Sequence, residues 1–272
     1  MLSMLEFTEQ EKCAPLRRLW HRITTPQVRA ILRPVGNTHY LRILCEQRRG
    51  KIDWRMIGSY SLDCSERILM PVDIEPPENC GIRRFVPYAF RRRLLESLAL
   101  DILACCSVRP ELRRAAVYGQ DSEVIALLPS LTAVAGEVRV ITRRPHAVMD
   151  TVEQLRSMTG ASIGVSSELD AAGFHILLAP AGGAAVFRLD SEVMVLSPDR
   201  PSVPTALWIK GAVPTLPPVL EGIYSDVYDL TEFVGAFCET GEMRELAKLQ
   251  PAAAVCEGGE ISPQEAAKLI GR

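Results

Sequence analysis

The 272-residue chain is long enough for one large or two ordinary domains with a real core. Its 47% hydrophobic and 24% charged content is that of an ordinary globular protein, which excludes a disordered or collagen-like chain. Net charge is −2, but residues 1–114 carry 20 Lys and Arg against 13 Asp and Glu, and residues 115–272 carry 11 against 20. That asymmetry marks a boundary near residue 114. It also lets the halves attract each other within one chain or between two copies, as in a homodimer.

No apolar run approaches the ~20 residues needed to span a bilayer, so no membrane partner is expected. The stretch Met1–Leu16 lacks the basic start and apolar core of a secretion signal, and a cytoplasmic location is expected. The cysteines, Cys13, Cys45, Cys64, Cys80, Cys105, Cys106, Cys238 and Cys256, form no C-x-x-C pair. Free or buried thiols fit this pattern better than a disulfide framework, and ligand spacing for a metal is absent.

Thr8-Glu9-Gln10-Glu11 has the form of a capping box, and a helix is expected over 9–23 with Leu16, Leu19, Trp20 and Ile23 on one face. Arg17, Arg18 and Arg22 fall opposite, as on a solvated face. No aromatic stacking pattern or groove-reading motif accompanies them, so a nucleic-acid partner is not expected. Residues 28–74 read as a small antiparallel sheet: Tyr40–Leu44, a turn at Arg48–Lys51, an alternating strand Ile52–Ile57, and Arg67–Pro71. His39 and Trp54 are candidates to line a pocket there; a lone His without an acidic partner is more often structural. A strong helix follows from Pro87 to Ser107. Arg91, Arg92 and Arg93 in its first turns oppose the macrodipole, so they serve either an outside partner or the acidic second half.

Arg113 to Pro145 sets the fold. Ala115–Tyr118 is a short apolar run ending at Gly119, suited to a strand buried on both faces. Val124, Ile125, Leu127, Leu128 and Leu131 recur at helical spacing, with Asp121 or Ser122 as cap and Pro129 as a possible kink or stop. Val138–Ile141 is a second strand. Strand, crossover helix and strand form a βαβ unit. The pattern then repeats: a helix over 148–158, a strand 161–165, a short helix 167–172, and strands 174–179, 193–196, 206–209 and 223–224. A helix from Asp229 or Thr231 runs to about Leu249, and Ser262-Pro263-Gln264-Glu265 is a second capping box. The fold class expected is α/β: a Rossmann-like parallel sheet with flanking helices over 113–272, preceded by a smaller α+β domain with an antiparallel sheet over 1–112.

In nucleotide-binding versions of this unit the first turn is G-x-G-x-x-G. Here Gly119-Gln120-Asp121 keeps the first glycine, while Asp121 and Val124 replace the second and third. Asp121 also places negative charge where a phosphate would lie. The second strand ends in Thr142-Arg143-Arg144, the place where NADP enzymes put an Arg for the 2′-phosphate. The layout of residues 113–200 resembles the cofactor domain of shikimate dehydrogenases, where this strand ends in an Asn-Arg pair. Thr142 and Arg143 occupy the matching positions, and the resemblance implies that Arg143 contacts a 2′-phosphate. Solvated turn charges are the alternative. Pro180-Ala181-Gly182-Gly183 follows a parallel strand, where ligands bind in open α/β sheets, and in dehydrogenases of this layout the equivalent loop passes beside the nicotinamide. The family's catalytic Lys–Asp pair has no counterpart: residues 1–112 contain only Lys12 and Lys51, in no such motif. Glu257 and Glu260 read as loop charges. Two functions stay open: a non-catalytic or divergent protein binding a small molecule, a nucleotide or a protein partner, and an NADP-dependent oxidoreductase.

Overall fold

A computed structural model describes residues 1–8, 27–46, 52–61, 68–239 and 250–271. The expected helix over 9–23, the turn at 48–51 and the end of the helix beyond residue 239 lie outside these residues. Two compact units result: Met1–Phe90 with Leu216–Lys248, and Arg91–Thr215 with Leu249–Arg272. The division is not the single cut at 112/113 expected from the sequence. Each unit takes two separate lengths of chain.

The first unit holds a sheet of order β2-β3-β1-β4, from β1 (Ser3–Thr8), β2 (Val28–Val35), β3 (Thr38–Glu46) and β4 (Ile68–Leu69). β2 and β3 form an antiparallel hairpin through Gly36-Asn37, with Gly36 at φ 52° as such a two-residue turn requires. β1 and β4 add in parallel, β1 between β3 and β4. The expected strand 52–57 is instead the start of helix α1 (Trp54–Ser61). Asp53 Oδ1 accepts the Met56 amide at 3.1 Å, and this cap outweighs the apparent alternation. Ile57 and Ser61, one turn apart, are the buried residues of α1, and Leu5, Ile43, Ile57, Ile68 and Met70 share one core.

The boundary between the units falls inside helix α2 (Tyr88–Cys105), which matches the expected 87–107 closely. The second unit then runs β5 (Arg114–Tyr118), α3 (Asp121–Val134), β6 (Glu137–Ile141), α4 (His146–Thr159), β7 (Ser162–Ser166), β8 (Ile176–Leu178), β9 (Met194–Leu196) and β10 (Leu207–Pro214). These six strands are all parallel and lie in the order β7-β6-β5-β8-β9-β10. Numbered along the chain, that is the 3-2-1-4-5-6 order of the Rossmann fold. β5, β8 and β9 are apolar nearly throughout because helices or loops cover both faces: Ala115, Ala116, Val117, Leu177 and Val195 are all buried. Pro129 does not stop α3, which continues to Val134. Residues 167–172 form bends and an isolated bridge rather than a short helix.

The chain returns to the first unit after β10. The expected strand at Ile223-Tyr224 is a turn leading to helix α5 (Leu230–Glu239), whose first-turn Glu232 amide is capped by Asp229 Oδ1 at 2.8 Å. Phe233 and Phe237 of α5 cluster edge-on with Tyr224 and Tyr40. Glu232 pairs with Arg84 at 2.8 Å, and Arg84 also donates to the Pro71, Val72 and Ile74 carbonyls. The chain ends in the second unit. β11 (Pro251–Cys256) covers the edge of β10 antiparallel, β12 (Gly259–Ile261) follows as a hairpin partner, and α6 (Pro263–Ala267) starts from the capping box read at Ser262 and Glu265. Among the described residues no helix is long and apolar enough to cross a membrane.

Candidate functional site

In an open parallel sheet the ligand crevice lies at the carboxyl ends of the strands, where the strand order reverses. Here that point falls between β5 and β8. The turn after β5 holds Gly119, Gln120 and Asp121; the exit of β6 holds Thr142, Arg143 and Arg144; the exit of β8 holds Pro180, Gly182 and Gly183. All the expected site residues are therefore on the carboxyl edge of the sheet.

The first two groups meet through one side chain. Thr142 Oγ1 donates to Asp121 Oδ1 at 2.7 Å, and the Arg144 guanidinium lies 2.7 Å from Asp121 Oδ2. This second contact is one of charge, without hydrogen-bond alignment. Asp121 does not cap α3 with its side chain; Gln120 is the N-cap and makes no side-chain cap bond. The Asp121 side chain is 13% exposed and that of Arg144 78%. The carboxylate is thus nearly enclosed at the first helical position, where the partial positive charge of the helix end favours an anion. Two residues further along α3, Glu123 pairs with Arg92 of α2, which also reaches Glu96 at 3.4 Å. Burial raises the Glu96 carboxyl above its ordinary range, offset by Arg92. Arg143 is exposed, and its guanidinium makes no hydrogen bond or ion pair among the described residues. A Cβ on Gly119 would meet Val124 Cγ2 at 3.4 Å, an ordinary contact of helix on strand.

The third group is held down by two residues that sequence reasoning did not single out. Gly182 and Gly183 have φ of 94° and 97°, a conformation that L side chains rarely adopt. The Gly183 amide donates to Asp199 Oδ2 at 2.6 Å. A Cβ on Gly182 would sit 2.6 Å from the same oxygen, and one on Gly183 2.8 Å from Tyr118 Cε1. Tyr118 in turn stands edge-on against Phe187 at 5.2 Å. Asp199 is anchored through its own amide to Ser197 Oγ at 3.2 Å, and the Ser197 carbonyl accepts from Trp208 Nε1 at 2.8 Å. The glycines thus serve a close-packed loop. The only sequence signal for Asp199 was its place in a strand exit followed by Arg200-Pro201.

Chemically, the described residues of the carboxyl edge offer carboxylates already engaged by hydroxyl, amide or guanidinium groups, the Asp121–Thr142 pair among them. Ser197, just past the end of β9, is fully buried and its hydroxyl accepts from a backbone amide. Of the first unit's candidates, His39 is exposed at the start of β3, and Trp54 packs against the first core. The described cysteines are free; Cys106 is buried and Cys105 exposed. No three His, Cys, Asp or Glu among the described residues are grouped to hold a metal ion.

No family model matches this sequence, and no curated protein is significantly similar to it. Among solved structures the chain is similar to L-tryptophan dehydrogenase from Nostoc punctiforme, at 14% identity and a TM-score of 0.36, over 90% of this chain and 76% of that one. It is also similar to Thermococcus litoralis Δ1-pyrroline-2-carboxylate reductase, solved with NADH and L-proline, at 14% identity and a TM-score of 0.29 over 39% of this chain. An archaeal alanine dehydrogenase with bound NAD matches at 17% identity and a TM-score of 0.29, again over 39% of this chain. The matched stretch spans 35% of the reductase and 34% of the alanine dehydrogenase. The Rossmann-like α/β architecture rests on the strand order itself.

Proposed function

We propose that this chain is a non-catalytic or divergent Rossmann-like protein that binds a small molecule or a protein partner, with its dinucleotide turn closed by its own side chains. The observation that carries this reading is the Asp121 carboxylate, enclosed at the start of α3 and held by Thr142 and Arg144. Two unit negative charges 4 Å apart repel by about 4 kcal/mol at an effective dielectric of about 20. A helix N-terminus returns only about 1 kcal/mol to an anion. A pyrophosphate placed beside Asp121 is therefore disfavoured, and Thr142 and Arg144 are already engaged. The residues present do not fit the phosphates of a dinucleotide.

A second reading, an NADP-dependent oxidoreductase, draws on one observation: Arg143 is exposed and unengaged among the described residues, as a 2′-phosphate contact would need. A thermal-shift titration with NADPH, NADP, NADH and NAD separates the two readings. A ligand at 100 times its dissociation constant adds about 2.7 kcal/mol of stability. On the first reading no dinucleotide shifts the wild-type protein, and Asp121→Gly gains a response. A shift of the wild-type protein by NADPH or NADP alone, lost in Arg143→Ala, would replace the first reading by the second.

A further inference from the structure

The opposite, amino-terminal edge of the same sheet contains a cavity of about 290 Å³. We propose that it binds a small zwitterion of the α-amino acid class, with the carboxylate facing Arg114 and the ammonium group facing Glu192 and Asp190.

The strand order builds the site. Arg114 opens β5, His175 precedes β8, and Asp190 and Glu192 precede β9, all lining the cavity. Lateral hydrogen bonds fix their order: the His175 amide donates to the Arg114 carbonyl at 3.0 Å, and the Met194 amide donates to the His175 carbonyl at 3.0 Å. Arg114 and the 190–192 turn are therefore two strand spacings apart, roughly 10 Å, with His175 between them. That span suits a ligand of a few heavy atoms flanked by two hydrogen bonds.

Charge selects the ligand. The Arg114 guanidinium and the Glu192 carboxylate make no ion pair among the described residues, although charges of both signs line the one cavity. Asp190 Oδ2 accepts the Gly173 amide at 2.6 Å, while its Oδ1 is buried without a hydrogen-bond partner. A group of either sign alone would satisfy one end and repel the other; a zwitterion answers both. His175 adds a fixed donor. Its Nδ1 accepts the Arg114 amide at 3.0 Å, so the neutral ring carries its proton on Nε2. Burial, with Arg114 adding to it, lowers the His175 pKa, which keeps the ring neutral. Phe174, buried beside His175, gives the cavity an apolar wall. The lining lacks the grouped ligands a metal ion needs.

The test is calorimetric titration of the full chain with each proteinogenic α-amino acid, with propionate, propylamine and guanine as comparison probes. Arg114→Gln and Glu192→Gln are the variants of choice, since both side chains are exposed and neither holds the fold; Asp190 is avoided because it anchors Gly173. The expected result is that at least one amino acid binds at millimolar concentration or below. Each variant should then weaken it by about tenfold or more, a change of about 1.4 kcal/mol. Propionate and propylamine should each bind at least tenfold more weakly. Binding of no amino acid, binding indifferent to both variants, or preferred binding of propionate, propylamine or guanine would each overturn the proposal. The closed turn at the carboxyl edge is not engaged by this test, so either proposal can fail alone.

Discussion

Asp121 does at the start of α3 what a bound anion does in related turns: it meets the helix end with negative charge. Asp121→Asn keeps the shape and removes the charge. It is expected to cost about 1 kcal/mol in chemical denaturation, from the helix-end interaction and the charged hydrogen bond to Thr142. A double-mutant cycle with Thr142→Val should show coupling; strictly additive losses would mean that the two side chains do not act together. His175 supplies a pH test with a definite sign. Its folded pKa is lowered, so the unfolded chain takes up the proton first as pH falls. Stability from this group is complete above the unfolded value of about 6.5 and is lost as pH falls toward the lowered folded value. The wild-type minus His175→Asn difference in unfolding free energy should shrink over that window, with Asn still able to accept the Arg114 amide. A flat difference would mean that His175 is not desolvated.

At the scale of elements, one connection depends on a missing side chain. A Cβ on Gly136, between α3 and β6, would fall inside the backbone of Glu111. Gly136→Ala is expected to destabilise by about 2 kcal/mol or more, because backbone cannot step aside as a flexible side chain can. Gly164→Ala, at an exposed position of the edge strand β7 with open space around it, should stay within about 0.5 kcal/mol of wild type. Equal effects at the two positions would refute the packing argument. Legibility in the sequence follows the same physics. The βαβ repeat was readable because buried parallel strands are continuous apolar runs and α3 has a clear helical period. Ser262 to Glu265 was readable because a capping box is local chemistry. Ile52–Ile57 misled because six residues fit either period, and the deciding signal was one cap, Asp53. β1 was missed because Ser3–Thr8 lies at the chain start and pairs with a strand some 40 residues on. The carboxyl-edge residues were legible by position, since strand ends are where ligands bind. Tyr118, Asp199 and the cavity residues were not, because they meet only through the strand order.

For the whole molecule, the interleaved units make a firm prediction. A fragment of residues 1–112 contains the first unit's sheet but lacks α5, and with it Phe233, Phe237 and the Glu232 partner of Arg84. Both side chains of that ion pair are nearly buried, at 15% and 11% exposure, so removing one partner costs about 3 kcal/mol before any lost packing is counted. The fragment should lack a cooperative thermal transition and be digested rapidly by protease. A sharp transition in it would show that the first unit is independent of residues 216–239. Deleting 250–272 should similarly uncover the edge of β10 and promote aggregation, as read by light scattering.

The alternation of chain segments between the two units also bears on how the protein is made. A growing polypeptide emerges from its amino end, and domains usually complete themselves in that order. Here the first unit waits for Phe233 and Phe237, and the second for the strand Pro251–Cys256. Neither can close its core before those residues have been made. The nascent chain must carry its apolar strands incomplete until Pro251–Cys256 has been made, and a stop before that strand leaves the second unit, and with it the Rossmann-like sheet, unfinished.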